Sequence, residues 1–214
     1  TIIPRGIIGI NLDKVVFGLL VGDVAVNWPP PNPYRNFFDN LDNGIYMNES
    51  GLEVYNAQFS NMKGSNRTGN INYYANQGVA IYAITSITAS ASNNHRLHVI
   101  NGNFIDVWRG VSTYGMTESR TLDCFFNSSG TSNANCSNGC IGNTAIMFNE
   151  ARLRTRASRN QIDNYAAGIL ENFMFVTTSP SFLFGIGNNT ITATGALGRC
   201  DIGIAVTDPA NNFN

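Results

Sequence analysis

Cys124, Cys136, Cys140 and Cys200 are the residues of this chain best suited to covalent or metal chemistry. Their number is even and the background is poor in charge and rich in Asn, Ser and Thr, a setting in which the cysteines of a secreted protein pair. Three connectivities are open; the expectation is one bridge within 124–140 and one tying that segment to Cys200. Zinc fits less well, because the two-residue Cys spacing of common zinc sites is missing and neither His95 nor His98 is near in sequence. The run Asp39-Asn40-Leu41-Asp42-Asn43-Gly44 has the oxygen ligands of a calcium loop. It lacks the closing acid, since the twelfth position counted from Asp39 is Ser50, so a turn is the favoured reading and Ca2+ a weak one.

Aromatic residues offer a different chemistry. Trp28, Tyr34, Tyr73, Tyr74, Trp108 and Tyr114 could stack on sugar rings, with Trp28, Tyr34, Trp108 and Tyr114 the candidate ligand-binding set. The same residue types also pack at turns with the polar tip in water. Triplets beginning at Asn48, Asn66, Asn127, Asn135 and Asn188 satisfy the glycosylation rule, which a chain so rich in Asn, Ser and Thr also meets by chance. No phosphate loop, zinc-protease helix or nucleophile elbow is present.

Such residues must be held by strands and turns. Asn makes up roughly one residue in seven, and Asn tolerates left-handed backbone and bonds its own main chain. That composition predicts an all-β chain of short strands and many turns. Charged residues are 13% with a net charge of -1, which provides no electrostatic footprint for nucleic acid and no basic run for an anionic membrane. The apolar run 15–26 is too short to span a bilayer and contains Asp23. The chain begins at Thr1, which is expected of a processed protein or a piece of a longer one.

A repeat organises the remainder. Ile162, Asn164 and Gly168-Ile169 recur with the same spacing as Phe104, Asp106 and Gly110-Val111, and as Phe38, Asn40 and Gly44-Ile45. Phe59 and Asn61 form a partial copy. Self-similarity of this kind is what stacked repeats leave in a sequence. Between these copies three short strands per turn of chain are expected, joined by long polar loops at 63–77, 88–94 and 112–143. The alternation across 150–156 has period two and predicts a strand. One inward column should hold Phe38, Phe59, Phe104, Ile162 and Ile191; another should hold Ile45, Val79, Val111 and Ile169.

These residues resemble the right-handed parallel β-helix, the pectate-lyase-like solenoid, in the variety found in large secreted and cell-surface proteins of Bacteroidota. Asn40, Asn61, Asp106 and Asn164 match its corner position, and Gly44, Gly110 and Gly168 its glycine. The resemblance spans 34–206, which gives coils over 34–214 and leaves 1–33 as first coils or an N-terminal cap. It implies an enzyme that uses aspartates, or Ca2+-bound carboxylates with a basic residue, on an exposed strand. The matching candidates are Asp39, Asp106 and Asp163 with Arg109, Arg154 and Arg159. Corner residues that cap the backbone account for the aspartates without catalysis.

Two functions are therefore expected to compete. One is a structural or adhesive module of an extracellular bacterial surface or fibre-forming protein, with glycans, cell-surface polymers, further copies or neighbouring coils of a longer chain as partners. The other is a polysaccharide lyase or glycoside hydrolase on the same scaffold. Ionisable residues are so few that the first is preferred, with no catalytic residue, metal or cofactor assigned.

Overall fold

The computed structural model describes residues 5–10, 19–21, 36–41, 43–62, 78–85, 95–129, 142–151, 154–173, 183–194 and 200–207, and every regular element among them is a β-strand. In chain order they are β1 (Arg5–Ile10), β2 (Leu19–Val21), β3 (Asn36–Asp39), β4 (Asn43–Asn48), β5 (Leu52–Tyr55) and β6 (Ala57–Ser60). There follow β7 (Val79–Ile84), β8 (Arg96–Ile100), β9 (Asn103–Ile105), β10 (Arg109–Tyr114), β11 (Glu118–Leu122) and β12 (Phe125–Asn127). The last are β13 (Gly142–Ala151), β14 (Arg154–Ser158), β15 (Gln161–Asp163), β16 (Tyr165–Phe173), β17 (Leu183–Gly187), β18 (Thr190–Thr192) and β19 (Ile202–Thr207).

The chain visits three sheets in strict rotation. Sheet A is 7-stranded, in the order β1-β4-β7-β10-β13-β16-β19. Sheet B runs β17-β14-β11-β8-β5-β2 and sheet C runs β18-β15-β12-β9-β6-β3, each 6-stranded. Every pairing is parallel. Three successive strands thus make one coil, each strand paired with its counterpart in the next, as in a parallel β-solenoid. The expected boundary at 33/34 lies outside the described residues.

Asn ends the strands for the reason its chemistry suggests. Asn40, Asn61, Asp106 and Asn164 each follow a sheet C strand with φ of 52–60°, and Asn56, Asn101, Asp123, Arg159 and Asn188 follow sheet B strands with φ of 52–58°. Left-handed backbone turns the chain sharply, and Asn and Asp adopt it at less cost than other non-glycine residues. The turn does not break the ladder. Asn61 N donates to Ile105 O at 3.0 Å and Asp106 N to Asn127 O at 2.8 Å, so corner amides bond the following coil.

One apolar core draws on the inner faces of all three sheets. In sheet C, Phe38, Phe59, Phe104, Phe126, Ile162 and Ile191 lie in register. The expected column is present, with Phe126 inserted where none was anticipated. Phe38 and Phe59 stack at 4.8 Å, Phe59 and Phe104 at 5.1 Å, and Phe104 and Phe126 at 4.4 Å, all within 8° of parallel. Tyr165 meets Phe126 edge-on at 6.3 Å and donates its hydroxyl to Val107 O at 3.2 Å.

Two expectations need correction. The second column is Ile7, Ile45, Ile81, Val111, Ile146, Ile169 and Ile204; Val79 instead aligns with Asn43 and Arg109. Val79 and Ile81 share parity, so the sequence could not distinguish a shift of two. Residues 112–143 are not one loop: β10 continues to Tyr114, and β11 and β12 complete the same coil. Ser119 and Thr121 occupy inward positions of β11 and are buried there, so its alternation shows small hydroxyl residues where apolar ones were sought.

The repeated glycines are there because the rings are. A Cβ on Gly44 would lie 2.7 Å from the Phe59 ring, and one on Gly110 would lie 2.4 Å both from the Phe126 ring and from Ala145 O. Gly110→Ala should therefore destabilise by roughly 1–3 kcal/mol through overpacking. Phe104→Ala, which opens a hole in the ring stack, should cost about 3–5 kcal/mol. Urea unfolding followed by circular dichroism checks both; a neutral Gly110→Ala would mean that the ring and the glycine are not in contact.

Candidate functional site

The three candidate aspartates lie along the edge of sheet C and do not converge. Asp39 ends β3 and Asp163 ends β15, four strand steps apart, or about 19 Å; Asp106 follows β9, roughly 10 Å from either. Each binds hydroxyls or amides of the neighbouring coil. Asp39 accepts from Ser60 Oγ at 2.6 Å and Asn61 Nδ2 at 2.8 Å, and Asp106 from Ser129 N at 2.7 Å and Oγ at 2.8 Å. Asp163 accepts from Thr192 Oγ1 at 2.9 Å, from Thr194 N at 3.0 Å and from the Thr194 hydroxyl. Partial burial alone would raise the Asp163 carboxyl, but the bonds from Thr194 and Thr192 hold it below the usual range. The capping anticipated within each corner instead joins one coil to the next.

Of the basic candidates, Arg159 lies at the sheet B corner in a fork with Asp123, both contacts at 2.6 Å. Arg109 opens β10, its Nε donating to Asn143 Oδ1 at 3.4 Å. Trp108 precedes it, half-buried, and Tyr114 closes β10. Trp28, Tyr34, Cys136 and Cys140 lie outside the described residues, as do Tyr73, Tyr74, Asn66 and Asn135.

Cys124 and Cys200 are free thiols, so the expected tie to Cys200 is not made. Cys124 has another role. It turns inward after the sheet B corner, where its Sγ donates to Leu122 O at 3.2 Å and accepts from Gly102 N at 3.3 Å. In the following coils Asn160 and Asn189 hold the equivalent place: Asn160 accepts from Cys124 N at 3.0 Å, and its Nδ2 donates to Asn189 Oδ1 at 2.9 Å. Burial pushes the Cys124 thiol up to about 12, so it is an inert rung of an internal polar ladder.

Two outward faces carry what the sequence reading did not assemble. On sheet A, Tyr46 and Tyr82 are in register on β4 and β7, half-buried, with ring centroids 5.8 Å apart. Tyr114, also half-buried, lies on β10 in register with Ile84, two residues beyond Tyr82. The three tyrosines make a diagonal track across three coils. Tyr46 and Tyr82 went unnoticed because each sits inside an apolar strand pattern that reads equally well as core.

On sheet B two of the outward columns are rich in charge. Arg96, Glu118 and Arg154 form one column; Glu53, His98, Arg120 and Arg156 form the next. Glu118 is only 2% exposed, although it faces outward, because its neighbours cover it. Arg96 Nε stands 3.3 Å from Glu118 Oε2, Arg120 Nε pairs with Oε1, and His98 Nε2 donates to Oε1 at 3.0 Å. Burial lowers the His98 imidazole against the opposing pull of Glu118, so the ring is neutral near pH 7. Only knowledge of which strand pairs with which could have joined these residues, since they come from four coils. Among the described residues no group of three His, Cys, Asp or Glu could hold a metal ion, and no helix is long and apolar enough to cross a membrane.

Comparison of the chain with protein-family models, with curated proteins and with solved structures finds no match.

One buried acid stands apart from both faces. Glu171 points inward from β16 between Phe148 and Val206 in register, bonded by the Thr155 hydroxyl, and burial raises its carboxyl to about 7. The native state keeps a proton that an ordinary glutamate of the unfolded chain has released, so stability falls as pH rises from about 4.5 to about 7 and then levels. Glu171→Gln should flatten that slope, as read from urea midpoints at pH 5 and pH 8. An undiminished slope would show that Glu171 is not its source. Glu118→Gln should cost about 1.5–3 kcal/mol at either pH, through loss of its ion pairs with Arg120 and Arg96.

Proposed function

We propose that this chain is a stretch of right-handed parallel β-helix, the pectate-lyase-like coil, serving as a structural and adhesive module of an extracellular bacterial surface or fibre-forming protein. Its coils act as a stiff support, and the sheet A tyrosines hold glycans by stacking. The observation that carries this reading is the diagonal Tyr46–Tyr82–Tyr114 track, three half-exposed rings on adjacent coils of an ordered sheet. Sugar rings pack on aromatic faces, and rings held by in-register strands lose little freedom on binding. Neighbouring coils of a longer chain, or further copies, are the other expected partners.

A polysaccharide lyase or glycoside hydrolase on the same scaffold is the competing reading. An acid–base pair needs carboxyls within one substrate's reach, and Asp39, Asp106 and Asp163 stand on coils two and four steps apart with their oxygens already bonded. That arrangement favours binding over turnover.

Incubation with neutral and acidic polysaccharides, with and without Ca2+, tests the choice. Retention without new reducing ends or unsaturated products is expected. Tyr82→Ala should weaken retention about three- to tenfold, in line with roughly 0.5–1.5 kcal/mol for an aromatic contact. Product formation would overturn the reading in favour of the enzyme, and unchanged retention by Tyr82→Ala would remove the track from it.

A further inference from the structure

We infer that the outward face of sheet B is a second ligand site, built for an extended polysaccharide that carries oxyanions. It shares no residue with the tyrosine track and stands or falls apart from it.

The face holds four arginines, Arg96, Arg120, Arg154 and Arg156, against two glutamates, Glu53 and Glu118, in a chain whose net charge is -1. So local an excess is not a product of composition. Glu118 explains half of it: 2% exposed, it lies beneath Arg96 and Arg120 and takes the hydrogen bond of His98. A buried carboxylate that anchors two guanidinium groups holds them in place before any ligand arrives, which lowers the ordering cost of binding. Arg120 is held in the second column by this anchor, beside Arg156 in register.

Glu118 does not explain the other half. Arg154 and Arg156 are exposed, and no carboxylate among the described residues pairs with them. They stand on alternate residues of β14, roughly 6.6 Å apart along the strand, with the next coil about 4.8 Å away. Beyond Arg156 the register position is Gly185, whose missing side chain leaves Arg156 Cγ 3.6 Å from where a Cβ would be, and Gly187 has open space at its own Cβ position. The two glycines leave a strip without side chains beside Arg156, and no carboxylate among the described residues pairs with Arg154 or Arg156.

Guanidinium forks bind carboxylate or sulfate through two parallel hydrogen bonds. Cations repeating at strand spacing fit a polymer with one charged group per sugar or two, laid across the coils. Nucleic acid is disfavoured, because a chain of net charge -1 lacks the basic balance of a nucleic-acid surface. Sulfated polymers and polyuronates share the recognised chemistry, and they separate in the experiment.

The test is titration calorimetry with a sulfated polysaccharide, a polyuronate, a neutral polysaccharide and a DNA duplex, at low and at moderate salt. Binding of at least one acidic polysaccharide, weakened by salt, is expected, and the better of the two names the oxyanion. The double variant Arg154→Ala/Arg156→Ala should lose about tenfold or more, as expected for charge-assisted bonds. Gly185→Leu should also weaken binding, since it fills the strip with every charge intact. The preference for an acidic over the neutral polysaccharide should survive Tyr82→Ala and be lost in the double arginine variant. Thermal melts establish that each variant folds. No acidic binding, equal binding of the neutral polymer, equal binding of DNA, or a double variant that binds as the parent does would each overturn the inference. Neutral binding that depends on Tyr82 alone would leave the tyrosine reading standing while this one fell.

Discussion

Three of the four rings in the phenylalanine column, Phe38, Phe59 and Phe126, rest against glycine backbone of sheet A, and that contact sets the geometry of the coil. Gly6 faces Phe38, Gly44 faces Phe59 and Gly110 faces Phe126, each too close to admit a Cβ without movement. Where the column holds Ile191 the facing residue is Gly168, on which a Cβ would lie 2.9 Å from the Ile191 side chain. Large on one sheet and absent on the other is a single requirement written at two positions six or more residues apart. The ladder enforces it, because in-register parallel pairing puts each residue directly above its equivalent and repeats any local fit in the next coil.

That repetition is why the fold was legible. A ring at one place, Asn two residues later and glycine four after that recur because each coil must solve the same problem with the same backbone. The left-handed corner at Asn40, Asn61, Asp106 and Asn164 excludes most side chains, and the ring excludes a Cβ on the sheet A strand that opens its own coil. Where the constraint is loose the sequence is free, and there reading failed. The coil of β11 and β12 breaks the pattern: it keeps its ring, Phe126, but Ser128 stands at the corner outside the left-handed region. Ser119 and Thr121 fill its core where a search for apolar alternation finds nothing. Cys124 was misread for a related reason. A thiol inside the coil satisfies main-chain groups as Asn160 and Asn189 do one and two coils on, and the residue type alone suggests a bridge.

The outward faces obey a different logic. Pairing fixes where an outward side chain sits but places no demand on what it is, so the faces can vary independently of the core. Neither the tyrosine track nor the arginine face is visible as a motif, since Tyr46, Tyr82 and Tyr114 are separated by 36 and 32 positions and join only through the register. The aspartates that spacing did single out are the ones the stack itself uses. They were conspicuous because they repeat, and they repeat because every coil needs its corner tied to the next.

Buried charge separates the two kinds of position most clearly. Asp163 sits at a corner where hydroxyls and an amide of the next coil bond its carboxylate and hold its proton affinity low. Glu171 sits inside, with a hydroxyl beside it and apolar neighbours above and below, and its proton affinity rises to about 7. Glu118 faces outward yet is covered by the arginines and the histidine that it binds. A carboxylate that repeats with the coil serves the coil; one that occurs once, beneath two arginines on an open face, has no such structural duty to repeat. On that distinction, the position that looks least like a motif is the stronger candidate for a function peculiar to this chain.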